Sequence, residues 1–346
     1  MAKHLKQQQR PDPRLLGVSL LILSLIIGSL TAWSYIGSRQ ADAGTIAASP
    51  DPAMATATIR NPNGPPSTPG APMPDVAFSP GASSAAADAS PAPPEPALSA
   101  RSAVLMSYRT GATIYAKNAD EPLPMASTVK IITALTVIRY AGPEEVVTIA
   151  PEDVVDPLQE SSMGLEAGDT VTLRDLLVGL LLPSGNDAAR ALARYVGPRL
   201  PGDPAASPVD RFVDEMNRLA SDLGMTGSHF VRPAGNDVDG QVATARGLAL
   251  AARALLDQPA LLAIVALQHG VVQVGGPNPR VLNFTNTNEL LSQEGVYGVK
   301  TGTTPEAKQC LVFAYRNHGD DVVGVILGSD DRYADAHALL ALLQPR

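Results

Sequence analysis

Three short strings occur in order along the chain: Ser127-Thr128-Val129-Lys130, Ser184-Gly185-Asn186 and Lys300-Thr301-Gly302. Together they supply two serines, two lysines and an asparagine, from which an acyl-transfer site can be built without histidine or metal. Ser127 and Lys130 stand three apart near the start of an apolar run, so a helix there projects both side chains from one face. Lysine is protonated at neutral pH and acts as a base only where desolvation or nearby positive charge lowers its pKa. Val129, Ile131, Ile132 and Leu135 are suited to that desolvation. Taken alone, the pair reads better as a capping serine followed by a snorkelling lysine.

Ser184-Gly185-Asn186 follows Pro183 and precedes a helical run; by itself it reads as a turn in which Asn186 or Asp187 caps the next helix. Its chemical reading is a loop offering a hydroxyl for proton relay and an amide to grip a carbonyl, with Gly185 permitting an unusual backbone turn. Lys300-Thr301-Gly302 ends an apolar strand, where the glycine lets a substrate backbone lie alongside the strand edge. This third string arises by chance in about one chain in twenty, and its place after the other two gives all three weight.

The elements that must position these strings follow from periodicity. Ala103-Val104-Leu105-Met106 and Thr113-Ile114-Tyr115 flank the turn Arg109-Thr110-Gly111 and predict a hairpin. The spacing predicts a largely buried helix over 125–140, stopped by Ala141-Gly142-Pro143, and further helices over 173–182, 187–195, 209–223 and 245–256. Strands are predicted over 295–300, 310–315 and 322–327, then a closing helix over 331–343. Strands at both ends with helices between give an α/β (α+β) domain, a sheet lobe closed around an inserted helical lobe. No internal repeat favours a solenoid.

Ahead of this domain, expected over 98–346, the chain changes character twice. Residues 1–14 form a basic segment, and 15–36 is an almost uninterrupted apolar run whose helix would be about 33 Å long, enough to span a bilayer core. Basic residues before the run and Trp33 and Tyr35 near its far end predict a signal-anchor with a cytoplasmic amino terminus and an extracytoplasmic domain. The competing reading is a cleaved signal peptide ending at Ala41-Asp42-Ala43, which would release a secreted protein. Residues 37–97, rich in Pro, Ala and Ser, read as a disordered tether.

A net charge of −8 with no basic cluster beyond the membrane flank argues against a nucleic-acid partner. Cys310 is the single cysteine, so no intrachain disulfide forms, and its apolar neighbours suggest an inert strand position. His4, His229, His269, His318 and His337 are scattered without ligand spacing, so no metal site is expected.

With the three strings in place, the chain resembles the serine D-alanyl-D-alanine carboxypeptidases, the low-mass penicillin-binding proteins. The blocks GATIYAKNADEPLPMASTVKIITAL, LLVGLLLPSGNDAARALA, LGMTGSHFVRPAGND and GVYGVKTGTT carry the resemblance over nearly all of the folded region. It implies a penicillin-binding/β-lactamase-like fold, an antiparallel sheet flanked by helices with a helical lobe beside the cleft. It further implies that Ser127 is the acylated nucleophile and Lys130 its base, with Ser184 and Lys300 a proton and charge network. Asn186 would hold the substrate amide, and the backbone N–H groups of Ser127 and Thr303 the oxyanion. Thr301 and Arg332 would meet the terminal carboxylate beside Gly302. The implied partners are a peptidoglycan stem peptide and β-lactams, with no cofactor.

Lys308 departs from the pattern, standing where the family often has glycine, near the cleft. The additional β-rich domain and carboxy-terminal anchor of some relatives are expected to be absent, leaving attachment to the amino-terminal segment. Three alternatives stay open beside the carboxypeptidase: a D,D-endopeptidase on cross-links, a non-catalytic penicillin-binding wall protein and a β-lactamase. The last is disfavoured because Glu215 does not open the Glu-x-x-Leu-Asn pattern of one large class.

Overall fold

The computed structural model describes residues 95–317 and 319–343, which fall within one unit, Ala86–Arg346. The basic segment, the membrane-spanning run and the tether up to residue 94 lie outside the described residues. In chain order the elements are β1 (Ser102–Ser107), β2 (Thr113–Lys117), α1 (Lys130–Tyr140), β3 (Val146–Thr148), β4 (Thr170–Thr172), α2 (Leu173–Leu181) and α3 (Asn186–Val196). They continue with α4 (Pro208–Asp222), α5 (Ala245–Leu256), α6 (Pro259–Val265), β5 (His269–Val274), β6 (Arg280–Thr285), β7 (Val296–Thr304), β8 (Lys308–Asn317), β9 (Asp320–Ser329) and α7 (Arg332–Leu340).

The apolar strings at the two ends of the domain pair into one antiparallel sheet in the order β2-β1-β9-β8-β7. Both faces are covered. Ala103, Leu105, Leu311, Phe313 and Ile326 pack with Ala336, Leu339 and Leu340 of α7. The residues between them, Val104, Met106, Val312, Ala314 and Val325, join the main core with α5. A sheet buried on both faces reads as continuous apolar runs, which is why these strands were legible. Gly324 belongs to the packing: a Cβ there would lie 2.1 Å from the Phe313 ring.

The helical lobe is built around α1, buried at every position from Lys130 to Val137 and packed by α2, α3, α4 and α5. Local sequence sets the helix starts. Thr172 accepts from Asp175 N ahead of α2, Ser207 from Asp210 N ahead of α4, Thr244 from Gly247 N ahead of α5, and Asp331 from Tyr333 N and Ala334 N ahead of α7. The chain entering the domain is pinned at once: Ser99 N and Ala100 N each donate to the Asp335 carboxylate of α7 at 2.8 Å.

Several elements differ from the sequence expectation. The 125–140 helix is a 3₁₀ turn, Ala126–Val129, followed by α1. The closing helix ends at Leu340 and finishes in a 3₁₀ turn over Ala341–Leu343. The strand expected over 295–300 runs on to Thr304, so Lys300-Thr301-Gly302 lies inside an edge strand instead of ending it. The β3–β4 pair, the β5–β6 hairpin and α6 are additional elements.

Candidate active site

Ser127 sits in the 3₁₀ turn that leads into α1, and two glycines make its position possible. A Cβ on Gly302 would lie 2.8 Å from Ser127 N and 2.9 Å from Ala126 Cβ, so β7 passes directly beside the serine. A Cβ on Gly235, in the loop after α4, would lie 2.3 Å from both Ser127 N and the Ala126 carbonyl carbon. The serine is thus clasped between two backbones that only glycine lets approach. Ala126 is held at φ +48°, a left-handed conformation that a non-glycine residue adopts at a cost of about 1–3 kcal/mol.

One turn on, the Lys130 side chain is fully buried, and its Nζ lies 3.1 Å from Ser127 Oγ. The same nitrogen donates to the Ser184 carbonyl at 2.9 Å and to Asn186 Oδ1 at 2.5 Å, with Ser184 Oγ at 3.2 Å. Burial lowers its pKa to about 7, against an opposing pull from the Asp187 and Glu160 carboxylates. α2 stops before Pro183, and the chain turns through Ser184 at φ +68°. The unusual backbone therefore belongs to Ser184; Gly185, with φ −58°, is needed for space, because its Cβ would lie 2.6 Å from Asp187 Oδ1. Neither Asn186 nor Asp187 serves as the cap of α3, a place taken by Gly185.

Lys300 on β7 is also fully buried and donates to the Thr301 carbonyl at 3.0 Å. Burial, then the neighbouring positive charges of Lys130 and Arg332, push its pKa well below the usual lysine range. No hydrogen bond joins Lys300 directly to Ser184 among the described residues. Thr301 Oγ1 lies 2.6 Å from Thr287 Oγ1. Arg332, at the first position of α7, is buried and largely engaged: Nε donates to Gln309 Oε1, one terminal nitrogen to the Gly302 and Cys310 carbonyls, the other to Thr303 Oγ1. Of its five N–H bonds one remains for a ligand. Burial lowers its pKa from the usual value.

These residues converge. A cleft of about 380 Å³ is lined by Ser127, Ser184, Thr301, Gly302, Thr303 and Arg332, among others, with the amines of Lys130 and Lys300 beneath. Six of the nine candidates read from the sequence line this cleft, Lys130 and Asn186 are joined to it by the hydrogen bonds of the Lys130 amine, and Lys300 adjoins Thr301. Sequence reasoning missed four residues that hold it together. Asp187 accepts from Ser162 Oγ and from the backbone N–H groups of Met163, Gly164 and Leu165, fastening the loop that walls one side. Glu160 accepts from Asn186 and Asn236. Gly235 and Asn236 sit in the RPAGND block and Asp187 ends SGND, so their signal was block agreement, not spacing. Glu160 carried none.

Other residues fall out of the site. Lys308 does not line the cleft; it takes φ +53°, where glycine is at ease, and pairs with Asp330 at 2.9 Å, both exposed. Cys310 is buried in β8, with burial pushing its thiol up to about 11, as expected of an inert position. His229 forms a backbone bridge with Val242. Glu215 accepts from Tyr140 and Arg218, a structural tie.

A serine and a desolvated lysine at the edge of a helix-flanked antiparallel sheet define a serine peptidase of the penicillin-binding fold. The chain belongs to the D-alanyl-D-alanine carboxypeptidase family, whose profile matches residues 88–331. It is 38% identical over 243 residues to a D-alanyl-D-alanine carboxypeptidase from a Streptomyces species, covering 68% of this chain and 82% of that one. A D-alanyl-D-alanine endopeptidase from Pseudomonas aeruginosa is 32% identical over 253 residues, covering 71% of this chain and 78% of the relative. The crystal structure of a Streptomyces DD-transpeptidase superposes with a TM-score of 0.67 at 35% identity, covering 72% of this chain and 97% of that one.

Proposed function

We propose that the chain is a membrane-anchored, extracytoplasmic D-alanyl-D-alanine carboxypeptidase that trims peptidoglycan stem peptides through an acyl-enzyme on Ser127. The Lys130 amine carries this reading: it is fully buried, 3.1 Å from the Ser127 hydroxyl, and its pKa is brought down to about 7. In the neutral form its two N–H bonds donate to the Ser184 carbonyl and Asn186 Oδ1, leaving the lone pair to accept from the Ser127 O–H. Ser127 Oγ attacks the carbonyl carbon of the penultimate D-alanine as its proton moves to Lys130. The backbone N–H groups of Ser127 and Thr303 receive the oxyanion. The proton passes by way of Ser184 to the leaving nitrogen, the C–N bond breaks and D-alanine departs. Water then hydrolyses the ester and restores Ser127.

Around this centre, the Asn186 amide holds the substrate carbonyl, Thr301 and the remaining N–H of Arg332 meet the terminal carboxylate, and Lys300 belongs to the proton and charge network beneath. Gly302 keeps the β7 edge clear for the peptide backbone. A β-lactam, with its strained carbonyl and its carboxylate, acylates the same serine. Residues 15–36 hold the protein in the membrane, and the Pro/Ala/Ser-rich stretch sets the cleft at a distance from it.

The test is release of D-alanine from a peptidoglycan pentapeptide by the wild type beside Ser127→Ala. Release lost in the variant supports the reading, and equal release by both refutes it. The Pseudomonas relative named an endopeptidase favours a second reading, cleavage of D,D cross-links. A cross-linked dimer as competing substrate separates the two: preferential cleavage of the dimer makes the protein an endopeptidase.

A further inference from the structure

Glu160 lies in the loop between β3 and β4, immediately before Ser161, and its side chain is 20% exposed. Both carboxylate oxygens are engaged. Oε2 accepts from Asn186 Nδ2 at 2.8 Å and from Asn236 Nδ2 at 3.2 Å, while Oε1 accepts from Arg190 of α3 at 2.7 Å. On its other side, Asn186 Oδ1 accepts from Lys130 Nζ at 2.5 Å. An unbroken chain therefore runs from Glu160 through Asn186 and Lys130 to Ser127.

The chemistry of the chain is directional. A carboxamide has a donor end and an acceptor end of nearly equal shape, so either can face a neighbour. An ionised carboxylate only accepts, so Glu160 selects the Nδ2 end of Asn186 and turns Oδ1 toward Lys130. One Nδ2 hydrogen is consumed and the second is left for a substrate. We propose that Glu160 is a positioning residue of this site, fixing the direction of the Asn186 amide that both holds the Lys130 amine against Ser127 and grips the substrate. The proposal rests on the acyl-enzyme reading above.

Glutamine cannot replace this carboxylate. With its oxygen toward the two asparagines, its NH₂ faces the Arg190 guanidinium, donor against donor. With its oxygen toward Arg190, its NH₂ faces Asn186 Nδ2 and drives that amide to flip. Glu160 also faces Lys130 as a negative charge, together with Asp187 of α3, while the Lys130 charge itself lowers the pKa of Lys300 on β7. Removing the Glu160 charge therefore makes Lys130 easier to deprotonate, even as its placement is spoiled.

The test measures acylation of the detergent-solubilised full chain by a chromogenic β-lactam across pH, in the wild type, Glu160→Gln, Glu160→Asp, Asn186→Ala and the Glu160→Gln/Asn186→Ala pair. Glu160→Gln is expected to lower the plateau rate on the order of ten- to a hundredfold and to move the acid limb toward lower pH. Glu160→Asp keeps the charge but withdraws the carboxylate by one methylene, so its plateau falls while its acid limb stays. In the Asn186→Ala background the loss from Glu160→Gln disappears, because the residue it acts through is gone. A wild-type plateau in folded Glu160→Gln or Glu160→Asp overturns the proposal, as does a loss that persists undiminished without Asn186. A wild type that is not acylated at all is the failure of the acyl-enzyme reading, distinguishable from both.

Discussion

At the scale of single residues, the site is organised by what the groups around Ser127 are denied. Lys130 is denied water, which brings its pKa to about 7; below that pH it holds the proton it would need to accept. The acylation rate is expected to rise with pH through about 7 and level above it, measured as labelling of Ser127 by a penicillin. A rate flat through that range would remove Lys130 as the base. Gly235 is denied a side chain, because a Cβ would lie 2.3 Å from backbone atoms of Ala126 and Ser127, which cannot rotate aside. Gly235→Ala must therefore displace the nucleophile. The expected outcome is a loss of stability of about 1–3 kcal/mol and of acylation by about a hundredfold, read from urea midpoints and labelling rates. Normal labelling of Gly235→Ala would mean that the loop, not the serine, gives way.

At the scale of elements, legibility followed burial. The β1, β8 and β9 runs and the helices α1 to α5 were readable because their faces are buried in one continuous pattern; the first two strings lie at the starts of α1 and α3, and the third lies within the edge strand β7. The β5–β6 hairpin escaped because its outward face carries Val271 and Val281, 58% and 51% exposed, which erases the polar half of the alternation. The irregular stretch around Glu160 to Leu165 escaped for a different reason. It has no periodicity, and its position is set by side chains distant in sequence, Asp187 foremost. Asp187, fully buried, gathers Ser162 Oγ at 2.6 Å, Met163 N at 3.0 Å, Gly164 N at 3.1 Å and Leu165 N at 3.2 Å. A carboxylate can accept all of these, whereas an amide offers one oxygen and an unwanted donor. Asp187→Asn is expected to cost about 1–3 kcal/mol and to speed hydrogen exchange at Met163, Gly164 and Leu165 well beyond the global change. Unaltered protection at those three amides would show that the loop holds itself.

At the scale of the whole molecule, the cleft is a liability that the covered sheet and the buried α1 must offset. Two lysines are sealed under it, and the backbone is held left-handed at Ala126 and Ser184. The Lys130 contribution has a definite sign. Its folded pKa is about 7 against an ordinary value of 10.5, so between those limits the unfolded chain binds a proton that the folded protein has shed. Stability from this residue therefore rises with pH across that window and is least below its lower end. Lys300, lowered likewise, acts in the same direction, and Tyr297, whose pKa burial raises, acts oppositely at high pH, so wild-type curves alone would mix all three. Comparison with Lys130→Met cancels the tyrosine. The difference in unfolding free energy between wild type and Lys130→Met is expected to shift in favour of wild type by about 3–4 kcal/mol from neutral pH to about pH 10, followed by urea unfolding. Parallel curves would mean that Lys130 stays charged in the folded protein at neutral pH. That one result would remove both the stability trade and the base on which acylation of Ser127 depends.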